Sequence, residues 1–176
     1  LSYALAGTAP KHGPNAWTKE QLLTDKKNLF EHNIVRDRIV HTMKTVTPDV
    51  TVGETGIMEL AHLYHLRTII TAKDSTKSLV EWARLLHPTP ALGGEPREKA
   101  LALLQTYEAH ERGMYAAPFG FMKDMGDGII VVAIRSALIM DNVLYAYAGC
   151  GVVADSDADE EYAETNNKMR TILEAL

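Results

Sequence analysis

The stretch from Gly128 to Val153 constrains this chain more than any other. Ile129 to Met140 is apolar apart from Arg135 and Ser136, Asp141-Asn142 interrupts it, and Val143 to Val153 is apolar again. Asp and Asn tolerate the left-handed backbone that a two-residue hairpin requires, so the pair reads as the turn between two antiparallel strands. With Tyr115 to Met122 ahead of them, the pattern predicts a three-stranded meander. Both faces of the middle strand, Gly128 to Met140, are apolar, which predicts burial on both sides and hence a sheet layered with helices. The expected fold class is α+β.

The remaining elements follow from local signals. Tyr3 to Thr8 is small and apolar, and Gly7 suggests close approach by another part of the backbone; Pro10 to Pro14 reads as a loop. Thr18 with Gln21 predicts a capped short turn, and Lys26 to Lys44 a long helix with Thr24 or Asp25 as N-cap and Pro48 beyond its end. Ile57 to Lys73 is rich in β-branched residues and predicts one or two strands. Asp74 or Ser75 is expected to cap a helix through Leu86, which His87-Pro88-Thr89-Pro90 stops because proline has no amide donor. Pro96 suits the first turn of a helix to about Glu108. Ser156 or Asp157 is expected to cap a last helix to Leu176, with Asp159, Glu160 and Glu161 in its first turn. No repeat or linker divides the chain, so one structural unit is expected.

Charge excludes some functions. A net charge of -5 with no basic run beyond Lys26-Lys27 argues against nucleic acid and against anionic membranes. Ile129 to Met140 is too short to span a bilayer as a helix. A single cysteine, Cys150, rules out a disulfide framework and a cysteine zinc cluster, and suits a cytoplasmic protein.

Arg135 carries the first chemical signal. If Asp141-Asn142 closes the hairpin, Arg135 faces Ala148, flanked by Ala146 and Cys150. Small neighbours leave a hollow beside a guanidinium shaped to take a carboxylate through two hydrogen bonds. An arginine paired to a core carboxylate, or one snorkelling to an edge, fits the same pattern. Glu31 falls between Phe30/Ile34 and Val35/Ile39/Met43 on a helical wheel, inside the apolar arc. Glu164 borders the Met169/Ile172/Leu173/Leu176 stripe of the last helix, with Glu161 before and Lys168 after it. Two carboxylates from different helices suit Mg²⁺, which takes hard oxygen ligands, although Glu164 and Lys168 alone read as a solvated i,i+4 ion pair. Seven histidines are present but without HExxH-type spacing. His32, His41, His62 and His110 read as surface or packing residues, His87 as structural, and Cys150 as inert packing.

The segment LHPTPALGGEPREKA at Leu86 to Ala100 is preceded by ALAGT at Ala4 to Thr8. It is followed in order by AIR at Ala133 to Arg135, AGCG at Ala148 to Gly151 and ETNNK at Glu164 to Lys168. Together these resemble the C-terminal half of the chorismate-utilising enzymes, most of all isochorismate synthases of the menaquinone type. The resemblance covers the chain. It implies the αββα fold of anthranilate synthase component I, with residues 1–176 forming the C-terminal portion of a chorismate-binding domain. In that family the lysine that activates water and the glutamate that protonates the leaving hydroxyl lie upstream of ALAGT. The chain starts at Leu1, so it is expected to be a truncated form with no catalytic residue of its own. Alone it is expected to be inactive, and to self-associate through the surface so exposed.

The resemblance further implies an isomerase reaction, Mg²⁺-dependent conversion of chorismate to isochorismate, in which water adds at C2 and the C4 hydroxyl leaves. Glu31 within FEHNIV and Glu164 within AETNNK look like the two metal ligands, sharing one Mg²⁺, with Glu161 behind them. Arg135 looks like the arginine that grips the enolpyruvyl carboxylate, beside Tyr115 and the backbone of Gly149. Gly7 and Thr8 look like the turn that binds the ring carboxylate, and Lys168 like the lysine near it; His65 within HLYHLRT looks like a histidine bordering the substrate. Relatives making anthranilate, aminodeoxychorismate or salicylate tend to carry threonine where this chain has Ala91, so alanine points to water addition with release of isochorismate. The menaquinone branch rests on wording such as YAGCGVV and MYAAPFG. A siderophore-pathway isochorismate synthase, a salicylate- or anthranilate-type synthase, and a noncatalytic chorismate-binding or structural fragment remain as alternatives.

Overall fold

The structure, a computed structural model, describes residues 1–73 and 75–174. The chain divides into two compact units, Leu1–Tyr107 and Glu108–Leu176.

The first unit is built on strand β1 (Ser2–Pro10), helices α1 (Lys19–Thr24) and α2 (Lys26–Lys44), and strands β2 (Val50–Glu59) and β3 (Leu63–Ala72). The three strands form an antiparallel sheet in the order β1-β3-β2. In β1 the buried positions run Ala4, Ala6, then Ala9, changing parity across Gly7. A bulge there shifts the register from Ala6↔Leu66 to Thr8↔His65, and an extra residue in one strand is what such a change of facing requires. Gly7 has φ +78, and a Cβ on it would lie 2.9 Å from the Asn28 carbonyl oxygen. The sequence signal for close backbone approach is therefore borne out, and α2 is what approaches.

Helix α2 starts where Asp25 accepts the Asn28 amide, and buries His32, Val35, Ile39 and Met43 at helical spacing. These meet Ala4, Ala6 and Ile70, small alanines letting the helix lie close to the sheet. A second cluster joins Ala9, Leu22 and Leu66 under the Thr18–Gln21 capping box. The buried arc is narrower than the wheel suggested, because Phe30 is 58% exposed. Strand β2 begins at Val50, ahead of the expected Ile57.

Helix α3 (Leu79–Leu86) is capped by Ser78 paired with Glu81, not by Ser75; Asp74 lies outside the described residues. Ser78 wins because Glu81 stands three residues on and closes a reciprocal capping box. Pro90 opens a short helix α4 (Pro90–Gly93), and α5 (Arg97–Tyr107) follows Pro96.

The second unit departs most from the expected meander. Strands β4 (Pro118–Met122) and β5 (Gly128–Val132) form one hairpin, and β6 (Ala137–Met140) and β7 (Val143–Ala146) form another, as two separate two-stranded sheets. The long middle strand does not exist: Ala133–Ser136 breaks it, Arg135 taking a left-handed φ of 53. Nor is it buried on both faces, since every residue of β6 is exposed and β5 alternates. Apolar residues on both faces permit burial without requiring it, and Arg135 sits in the link where the extended backbone ends. The turn itself is as expected, with Asp141 and Asn142 at φ 51 and 60. Asp157 caps helix α6 (Ala158–Leu173), its side chain accepting from the Asp159 and Glu160 amides. Leu176 lies outside the described residues. Among the described residues no helix is long and apolar enough to cross a membrane.

Candidate active site

In the second unit the expected substrate-binding residues gather where the open ends of the two hairpins lead. The β4–β5 ladder is prolonged by Ala116 N–H donating to Ala133 O (2.9 Å) and Ala133 N–H to Ala117 O (2.8 Å). Tyr115 and Arg135 flank that last rung. Tyr147, one residue beyond β7, stacks on Tyr115 with ring centroids 5.4 Å apart and planes at 15°. This stack turns the Tyr115 hydroxyl toward Gly149, where a Cβ would stand 3.1 Å from it. Gly149 thus leaves space that another residue would fill.

Arg135 is half-buried, and burial pulls its guanidinium pKa down while Glu164 and Tyr115 hold it up. It sits in the left-handed link between hairpins, not on a central strand as expected, so the strand-pairing argument for Ala148 fails; β6–β7 pairing stops at Ala137↔Ala146. The charge stays on arginine whatever the shift, because its intrinsic pKa is so high. Tyr115 is pushed up by burial, so its hydroxyl keeps its proton.

Helix α6 supplies the acidic side. Lys168 pairs with Glu164 and donates to the Gly149 carbonyl at 3.0 Å, tying helix and AGCG loop together with one ammonium. The surface ion pair expected from residue types is present, but its lysine side chain is only 13% exposed. Glu161, one turn earlier, is 7% exposed and accepts the Ser156 hydroxyl at 2.7 Å, while Ser156 also accepts the Val153 amide. Burial, then the Glu161 carboxylate beside it, pushes the Cys150 thiol up to about 11, as expected of inert packing.

In the first unit Gly7, Thr8 and His65 do come together. The Thr8 hydroxyl lies 3.0 Å from His65 Nδ1, and the Thr8 amide donates to Asn28 Oδ1 at 2.9 Å. Asn28 is fixed in turn by donating both its own amide and its Nδ2 to Asp25 Oδ1, each at 2.8 Å. His32 is fully buried, as packing, with Nδ1 3.2 Å from the Ala6 carbonyl and Nε2 2.7 Å from the Thr68 hydroxyl. A carbonyl only accepts, so Nδ1 carries the proton; burial holds the ring neutral, and Nε2 accepts from Thr68. Glu31, next to it on α2, is half-buried. Ala91, on α4, packs against the Val35/Ile39 cluster. His87 is structural, its carbonyl accepting from Arg97 at 2.9 Å.

Asn28, His32, Tyr147 and Ser156 were not picked out as site residues from sequence. Only His32 carried a usable signal, since it lies three positions before Val35 on the buried stripe. Among the described residues no three His, Cys, Asp or Glu side chains form a group that could hold a metal. Mg²⁺ does not need three, commonly taking one or two carboxylates plus water and substrate oxygens. Glu31 on α2 and Glu164 on α6 are each partly buried carboxylates, a ligand type that it accepts.

A family model described as chorismate binding enzyme matches residues 1–176, so the chain belongs to the chorismate-binding enzyme family. Within it, the chain is 38% identical over 182 residues to the isochorismate synthase MenF of Bacillus subtilis, covering all of this chain and 38% of that protein. It is 37% identical to the salicylate biosynthesis isochorismate synthase of Pseudomonas aeruginosa, again over 100% of this chain and 38% of that one. A crystal structure solved as the 2,3-dihydroxybenzoate-specific isochorismate synthase DhbC of Bacillus anthracis matches with a TM-score of 0.92 at 34% identity. That match covers 99% of this chain and 48% of the other. The chain therefore spans less than half the length of these relatives, and their α+β architecture is the one found here.

Proposed function

We propose that this chain provides the substrate-binding portion of an isochorismate synthase, which converts chorismate to isochorismate by adding water at C2 and expelling the C4 hydroxyl, for menaquinone biosynthesis. The observation that carries the reading is the half-buried Arg135 guanidinium beside Tyr115, whose hydroxyl borders the side-chain-free Gly149. Chorismate bears two carboxylates, and a planar guanidinium grips one of them through two parallel charged hydrogen bonds. Arg135 takes the enolpyruvyl carboxylate, with Tyr115 donating from its protonated hydroxyl and the Gly149 backbone alongside. The ring carboxylate goes to the Gly7–Thr8 turn and Lys168. The Thr8 amide is engaged by Asn28, so its hydroxyl, oriented by His65, makes the contact.

Glu31 and Glu164 would hold Mg²⁺, with Glu161 behind Glu164. The ion supplies Lewis-acid charge at the ring carboxylate when bound. Ala91 stands where ammonia-using and salicylate-forming relatives tend to have threonine, and its small side chain leaves room for water. The partners are chorismate and isochorismate, with no nucleic acid and no membrane, and the location is cytoplasmic.

A role in salicylate biosynthesis shares this chemistry, and identity to the Pseudomonas aeruginosa protein supports it almost as well. The test is to express the protein at its full encoded length and follow chorismate with and without Mg²⁺ by chromatography. Magnesium-dependent isochorismate is the expected product. Salicylate would place it with the salicylate-forming type, and an unconsumed substrate would leave only a binding or structural role.

A further inference from the structure

The bulge at Gly7 is held from both sides by a single helix. On one side the Ala6 carbonyl accepts from His32 Nδ1, and on the other the Thr8 amide donates to Asn28 Oδ1. Asn28 and His32 are four residues apart on α2, so they project from one helical face, one turn above the other. Between these two points lies Gly7, whose missing Cβ lets the Asn28 carbonyl come close. Each anchor is itself braced. Asp25 holds the Asn28 side chain, and Thr68, backed by Thr55 at 2.8 Å, holds His32 Nε2.

We infer that Asn28 and His32 are positioning residues, a two-point clamp that holds the Gly7–Thr8 turn in the shape that receives the substrate's ring carboxylate. The inference rests on the functional reading above for the identity of the ligand, and on the hydrogen bonds alone for the clamp. Direction matters in this arrangement. A strand bulge is free to relax toward regular pairing, which would rotate Thr8 and its hydroxyl onto the other face of the sheet. Satisfying the carbonyl before the bulge and the amide after it from the same helix removes that freedom. Glu31 sits between the two anchors in sequence, so a clamp that fixes α2 on β1 also fixes the height of the Glu31 backbone relative to the turn. Neither residue needs to touch substrate for this.

Three variants at full encoded length separate the clamp from general stability. Asn28→Ala removes the Thr8 anchor outside the core. His32→Gln places its amide where Nε2 was and loses the Ala6 bond, whereas His32→Asn places its amide where Nδ1 was and keeps it. The expected result is a rise of about 10-fold or more in KM for chorismate for Asn28→Ala and His32→Gln, with kcat changed less than about 3-fold. His32→Asn should stay near the parent KM even though it loses the Thr68 bond and melts lower. Hydrogen exchange of a peptide covering residues 4–10 should quicken in the first two variants and not in the third. Unchanged KM and unchanged exchange in Asn28→Ala would overturn the clamp, as would equal effects of His32→Asn and His32→Gln. A parent protein that leaves chorismate untouched would sink the functional reading instead, and the exchange pattern would then decide the clamp by itself.

Discussion

At the scale of single residues, Arg135 and Cys150 show how burial acts in opposite ways on two half-buried groups. For Arg135 burial costs solvation that a bound carboxylate would restore, so removing the side chain should be felt in binding. Arg135→Ala is expected to raise KM for chorismate about 10- to 100-fold, the worth of one or two charged hydrogen bonds, with a smaller change in kcat. Steady-state kinetics would show it, and an unaltered KM would remove Arg135 from the site. For Cys150 burial favours the neutral thiol, pushed up to about 11. Its alkylation by iodoacetamide at pH 8 should therefore run about 100-fold slower than that of a free thiol. The sign for stability follows: the folded chain keeps this proton longer than the unfolded chain, so the contribution is complete below the unfolded thiol's pKa and fades as pH rises toward 11. Ala91→Thr tests the proposed water addition, and is expected to lower isochorismate output, followed by chromatography, more than it lowers the melting temperature. Arg135 announced itself as a charge inside an apolar run, and the structure finds it half-buried. Its backbone was not legible, because a left-handed arginine carries no mark in sequence.

At the scale of elements, turn and cap chemistry was readable and burial was not. Thr18–Gln21, Asp25, Asp157 and the Asp141-Asn142 turn all follow from one side chain meeting one backbone group a few positions away. The supposed doubly buried strand failed because apolar residues on both faces say that a strand tolerates burial, not that anything covers it. Ser78 displaced Ser75 because the reciprocal partner, Glu81, decides among nearby serines. Two substitutions probe these devices. Gly7→Ala forces a left-handed alanine against the Asn28 carbonyl and should cost about 1–3 kcal/mol, read as a lower melting temperature. Asn142→Gly should act in the other direction, since glycine adopts the second position of this turn without strain. A melting temperature that falls with Asn142→Gly would mean that the Asn side chain holds the turn by some other contact.

At the scale of the whole molecule, the β4–β5 hairpin offers one continuous apolar face. Phe119 pairs across with Val131 and Phe121 with Ile129, and all four are exposed, Phe119 at 63% and Ile129 at 58%. Such a face on a two-stranded ribbon favours association, so the isolated 176-residue chain is expected to gain mass with concentration in sedimentation experiments. A monodisperse monomer across the micromolar range would count against it. The order β1-β3-β2 has a different kind of consequence, one of timing. Ser2 pairs with Ile70 and Pro10 with Leu63, whereas β4 meets β5 and β6 meets β7 across a few residues of turn. On a ribosome adding about 5–20 residues per second, both hairpins close almost as soon as they emerge, but β1 waits several seconds for its partner strand. During that wait the alanines of β1 lack the strand that β3 supplies. Among the described strands, β1 is therefore the one whose pairing waits longest on synthesis.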